Sequence, residues 1–168
     1  KQVLRRGTRK QTVSVFAAGS EFAEVARIVM ARGRFLTAAD QIIAPVPRGA
    51  CVMPAALARR VFGYEDPIGQ QVRIGRSAEP FTVVGLLDRV PRVLESRSGI
   101  AENCVIIPDA VRARRLGLYT MLVEKGGHQF EKVEVSQVIL QMADEQAVVS
   151  GAAVARSLLE RFRDEADY

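Results

Sequence analysis

The sequence predicts an α+β fold with two lobes: an α/β lobe built from residues 1–63 and 118–168, and a smaller β-rich lobe of residues 64–117 inserted between them. Three observations carry this. Strands alternate with helical patterns at both ends of the chain, the middle breaks into short strands between Gly and Pro turns, and 168 residues that are 48% hydrophobic suffice for one good core or two small ones.

The elements follow in chain order. Residues 2–17 alternate around Gly7-Thr8, with Val3, Val13 and Val15 as β-branched markers, and read as a hairpin. Ser20 is placed to cap a helix over residues 20–32, with Glu21 and Glu24 in its first turn, Phe22, Val25, Ala26, Val29 and Met30 at helical spacing, and Gly33 as the stop. Residues 50–53 form a short buried strand, and Pro54 opens a helix whose apolar stripe is Leu57, Ala58, Val61 and Phe62, closed by Gly63. Asp66-Pro67-Ile68-Gly69 is a turn, 71–74 and 81–87 are strands that read as a β-hairpin around a 75–80 loop, and 88–103 is a surface loop. Residues 104–107 form a strand, and Pro108 opens a helix that runs to Arg115, closed by Gly117. The last fifty residues read as a strand at 118–123, a helix over 130–142, a strand at 147–149 and a helix over 152–163.

Net charge is +5, but its position matters more than its size. Lys1, Arg5, Arg6, Arg9 and Lys10 stand in the first ten residues with no acid among them, which leaves 19 bases against 19 acids in the rest. Further basic clusters at Arg89, Arg92 and Arg97 and at Arg112, Arg114 and Arg115 have no interleaved aromatic residues on which bases would stack. The arm therefore reads as a solvated or lipid-facing surface, with nucleic acid as the minor reading. The longest apolar run, residues 50–58, contains Pro54 and falls far short of the roughly 20 residues of a membrane helix. No signal-peptide pattern opens the chain, which reads as a piece of something larger.

Chemical signatures are missing. There is no phosphate loop, dinucleotide fingerprint, zinc-protease helix, nucleophile elbow or calcium loop, and Asp40, Asp66, Asp88 and Glu95 are scattered without the spacing of an acid/base pair. His128 is the sole histidine and follows Gly126-Gly127 in what reads as a loop. Cys51 and Cys104 sit among apolar residues, as inert buried thiols do, with one disulfide as the alternative. The expectation is no catalytic residue, no cofactor and no bound metal.

What distinguishes the chain is a series of punctuation marks in order: Gly33-Arg34-Phe35-Leu36-Thr37 with Asp40, Leu57-Ala58-Arg59-Arg60-Val61-Phe62-Gly63, Asp66-Pro67-Ile68-Gly69, Val72-Arg73-Ile74-Gly75, Phe81-Thr82-Val83-Val84-Gly85 and Val105-Ile106-Ile107-Pro108. This order resembles the MacB-like periplasmic core domain, the extracytoplasmic domain of ABC-transporter permeases of the MacB/FtsX/LolCDE type. The resemblance covers about residues 30–110 by motif and the flanks by pattern. Each mark also has a local role as a turn, a helix stop or a buried strand, and Arg34 is expected to pair with Asp40 across its loop.

The resemblance implies a porter-like α/β lobe and a non-catalytic domain that couples ATP-driven motion of membrane helices to export or extraction of a substrate. ATP hydrolysis would belong to a separate cytoplasmic ATPase. The implied partners are that ATPase, a second permease copy, and a periplasmic adaptor or outer-membrane protein; the implied location is the periplasmic face of an inner membrane. The last helix, lacking a Gly or Pro stop before Tyr168, is expected to continue toward a membrane span, with residue 168 beside residue 1 and both facing the bilayer. The competing reading is a soluble ligand- or nucleic-acid-binding module using the basic arm.

Overall fold

The chain starts as a hairpin of β1 (Gln2–Arg6) and β2 (Arg9–Ala18), which reverses at Gly7 with φ of 55°, a conformation glycine adopts without strain. In a computed structural model the described residues are 2–42, 49–75, 77, 79–90, 103–116, 119–124, 127–132 and 139–166. They fall into two compact units, Lys1–Ser136 and Gln137–Tyr168.

The first unit continues with α1 (Phe22–Val25), β3 (Met30–Gly33), β4 (Gly49–Pro54), α2 (Ala55–Phe62), β5 (Gln71–Ile74), β6 (Phe81–Leu87), β7 (Cys104–Pro108), α3 (Asp109–Arg115), β8 (Tyr119–Glu124) and β9 (Gly127–Lys132). Pro54 and Pro108 each end a strand and cap the helix that follows, with φ of −61° and ψ near 140°. A proline suits that junction because its φ is fixed and a helix start needs no N–H there.

Seven strands share one sheet in the order β3-β6-β4-β7-β2-β1-β5, and β5 also pairs with β6. That last pairing closes a ring of six strands: β6, β4, β7, β2, β1 and β5. Its interior takes alternate side chains from every strand, Leu4, Val13, Met53, Ile74, Phe81 and Ile107 among them, all buried. Because β4 and β7 run antiparallel, α2 and α3 leave from opposite ends of the ring. Leu57, Val61 and Phe62 from α2, and Val111 from α3, belong to that same core. A second core lies outside the ring, where Ala18, Ala50, Val52, Leu87, Cys104 and Ile106 are covered by Phe35 and Leu36 and, less completely, by Phe22 and Ile28.

The ring consists of two halves with one plan. Hairpin β1–β2, strand β4 and helix α2 correspond to hairpin β5–β6, strand β7 and helix α3. Pro54 matches Pro108, and the parallel pairing Ser14↔Cys104 has its counterpart in Thr82↔Ala50 on the same outer face. At the two seams the halves meet antiparallel, at Val52↔Ile106 and at Leu4↔Ile74 with Arg5↔Arg73. This is an internal two-fold repeat that the sequence shows only faintly.

Several expectations are corrected. The proposed boundary at residue 63 does not separate two lobes, because β5, β6 and β7 complete the same ring as β1, β2 and β4. The helix expected over 20–32 is one turn long; Arg27 takes a φ of 48°, and Met30 joins the sheet opposite Leu87. Backbone groups on the free half of the β6 edge outweigh a helical pattern in the β-branched Ile28-Val29 stretch. Ser20 is not a cap; its hydroxyl donates to Glu21 at 2.7 Å. The expected helix over 130–142 is replaced at its start by β9, antiparallel to β8 with Val123 opposite His128, so His128 is in a strand and not in a loop. Residues 139–142 are not helical, and 133–138 lie outside the described residues, as do 91–102 of the expected 88–103 loop and residues 1, 167 and 168.

In the second unit α4 (Glu145–Ala166) is one continuous helix, so the strand expected at 147–149 and the helix expected at 152–163 merge. Asp144 caps it, accepting the Ala147 N–H at 2.7 Å.

Candidate functional site

Three of the signature segments meet at one place, where β3 and β5 lie end to end along the same edge of β6. Gly33, with φ of 70°, stands opposite Gly85, and a side chain on either would run into the other strand's backbone, at the Val84 and Arg34 carbonyl oxygens respectively. The Arg34 N–H donates to the Val84 carbonyl at 3.0 Å. Next to it Arg32 forms an ion pair with Asp66 at 2.8 Å, the Ile68 N–H donates to the same carboxylate, and the Gly69 N–H donates to the Val83 carbonyl at 2.8 Å. The Asp66 carboxyl is held below its ordinary value, first by the Ile68 N–H and then by Arg32.

From this joint the chain runs across the second core as a strap. Arg34 reaches Asp40 with both guanidinium nitrogens, at 2.6 and 3.1 Å, and donates to the Phe35 carbonyl at 2.9 Å. Thr37 donates to the same carboxylate through its N–H at 2.7 Å and its hydroxyl at 2.8 Å, closing a one-turn 3₁₀ helix (Ala38–Gln41) with a capping box. Burial of Asp40, 12% exposed, pushes its pKa up; the donors from Arg34 and Thr37 outweigh this and leave it lowered. Beyond the turn, Gln41 donates to the Ala18 carbonyl at 2.9 Å and accepts from the Ala110 N–H at 3.4 Å, linking β2 to the start of α3. The expected Arg34–Asp40 pair thus forms the middle of a strap that ties β6, β2 and α3 together.

The basic arm is partly consumed by the fold. Arg6 pairs with Glu65 at 2.6 Å and lies 4.6 Å from the Phe62 ring centroid, and Arg9 donates to the Val61 carbonyl at 2.9 Å at the end of α2. Charge counting missed both roles, since their partners lie more than fifty residues away.

The two carboxylates of this site are taken up by the fold, Asp40 by Arg34 and Thr37 and Asp66 by Arg32 and the Ile68 N–H. The cysteines are free and buried, and they lie on opposite faces of the sheet: Cys51 inside the ring, Cys104 in the outer core. The disulfide alternative is therefore closed. Burial drives both thiols away from the thiolate form, Cys104 up to about 11 and Cys51 higher. Among the described residues no group of His, Cys, Asp and Glu is arranged to hold a metal, and no helix is long and apolar enough to cross a membrane.

Residues 2–159 match the family described as the MacB-like periplasmic core domain. The chain belongs to that family. Its members are non-catalytic parts of ABC-transporter permeases. No curated protein sequence matches this MacB-like domain closely enough to count as a relative. Among solved structures it is similar to the periplasmic region of MacB from Actinobacillus actinomycetemcomitans, with a TM-score of 0.58 at 16% identity over 93% of this chain and 62% of that one. It is also similar to the extracellular domain of the noncanonic ABC-type transporter YknZ from Gram-positive bacteria, with a TM-score of 0.54 at 20% identity over 69% of this chain and 54% of that one. The chain thus spans less than two thirds of the length of either, and identities this low speak for a shared fold alone.

Proposed function

We propose that this MacB-like domain is the extracytoplasmic coupling element of an ABC-transporter permease. It receives motion from membrane helices and passes it to substrate or to a partner outside the membrane. The observation that carries this reading is the match over residues 2–159 to a periplasmic core domain, joined to a fold whose signature residues build a mechanical joint instead of a reactive site. A ring closed by hydrogen bonds and strapped by the Arg34–Asp40 turn moves as a unit, which is what transmission of a displacement requires. ATP hydrolysis in this reading belongs to a cytoplasmic ATPase, the permease acts with a second copy, and an adaptor or outer-membrane protein receives the motion.

The test is made in the intact permease. With residues 2–159 replaced by a flexible Gly-Ser linker, cells are expected to show the phenotype of a permease deletion while membranes retain the transporter's ATP hydrolysis. A linker version that fully complements the deletion overturns the proposal.

A further inference from the structure

Arg5 stands at the centre of a row of cations on the outer face of the ring. It is opposite Lys10 of β2 in the hairpin register and opposite Arg73 of β5 across the β1–β5 seam. Residues in register on antiparallel strands project to the same side with Cβ atoms roughly 5 Å apart. All three are exposed, and among the described residues none has a side-chain partner. Like charges placed opposite one another work against folding, so the row needs a reason. It is not a by-product of the basic arm, because Arg6 and Arg9, which face the other side, are engaged by α2.

The surroundings of the row decide what it fits. Its outward neighbours along these strands are Val3, half-buried, and Thr12 and Gln71, with no aromatic or large apolar anchor beside the cations among the described residues. Protein partners draw most of their affinity from such anchors, and single-stranded nucleic acid from stacking on aromatic rings. The pairing of β1 with β5 also leaves no free strand edge there for an acidic peptide to extend. An anionic lipid surface needs only charge, and each Lys or Arg near it adds attraction.

We propose that Lys10, Arg5 and Arg73 contact anionic phospholipid headgroups and hold this face of the ring toward the bilayer. This rests on the reading that the domain hangs from a membrane-embedded permease. The 168-residue chain is mixed with vesicles of phosphatidylcholine, or of phosphatidylcholine with phosphatidylglycerol at roughly one lipid in three, and the bound fraction is read by flotation at low salt. Binding to the anionic vesicles alone is expected, weakening as salt shortens the screening length. The variant Lys10→Gln/Arg5→Gln/Arg73→Gln should lose about tenfold or more in binding, whereas a control of equal charge change, Arg59→Gln/Arg114→Gln/Arg156→Gln, should not.

The triple variant should melt no lower than the parent, because it relieves like-charge opposition. If it fails to fold, Arg5→Gln alone, at the centre of the row, must weaken binding. Equal loss in the control set, no preference for anionic vesicles, or retention on immobilised polyglutamate that exceeds binding to vesicles would each overturn the proposal. No transporter is present in this assay, so its failure removes the lipid contact only, and the linker replacement judges the coupling role independently.

Discussion

Asp40 is the residue on which the strap depends, since one carboxylate accepts from Arg34, the Thr37 N–H and the Thr37 hydroxyl. Its folded pKa is lowered. A lowered carboxylate contributes stability that is complete above the unfolded value, near 3.9, and is lost as pH falls through the folded value. Asp40→Asn is expected to cost about 1–2 kcal/mol at neutral pH, toward the lower end because Arg34 is half exposed. In urea titrations the gap between variant and parent should hold constant above about pH 5 and shrink below about pH 4. A gap independent of pH would mean that the charge on Asp40 contributes nothing.

At the scale of elements, the decisive contact is the close approach of β3 to β6. Gly85 has the Arg34 carbonyl where a Cβ would go, whereas Gly69 has nothing near it and only a φ of 80° to maintain. Gly85→Ala is expected to cost about 3 kcal/mol or more, because strand backbone must move. Gly69→Ala should cost about 1–2 kcal/mol, the ordinary charge for a left-handed alanine. Equilibrium unfolding of the two variants checks this; equal losses would mean that the β3–β6 approach yields easily. Sequence patterns at this scale specify an element that is both locally encoded and buried, as with α2, whose stripe of Leu57, Ala58, Val61 and Phe62 is the buried face. They mislead at Met30–Gly33, where the partner strand lies more than fifty residues away.

For the whole molecule, the two thiols report on integrity. Cys51 inside the ring and Cys104 in the outer core are separated by the sheet itself and cannot pair without unfolding. The native protein is expected to react with a thiol reagent such as 5,5′-dithiobis(2-nitrobenzoate) only as fast as it opens, and both thiols should titrate in denaturant. Rapid labelling of Cys51 in the absence of denaturant would show that the ring opens locally, with the short β1–β5 and β5–β6 pairings as the places to look.

By itself the sequence determined the turn residues, the two strand-proline-helix units, the Arg34–Asp40 pair and the family. All of these are properties of contiguous stretches, or of motifs in a fixed order. The opposite faces of the sheet on which Cys51 and Cys104 lie, which close the disulfide alternative, came only with the structure. The tertiary structure alone decided that β5, besides its hairpin partner β6, also pairs with β1, which turned two expected lobes into one ring with matching halves. It also placed Arg6 and Arg9 against the end of α2 and left Lys10, Arg5 and Arg73 in a row. The physical reason is common to these cases. Strand pairing joins residues far apart in the chain through backbone groups that every residue carries, so local side-chain patterns hold no record of which edges will meet.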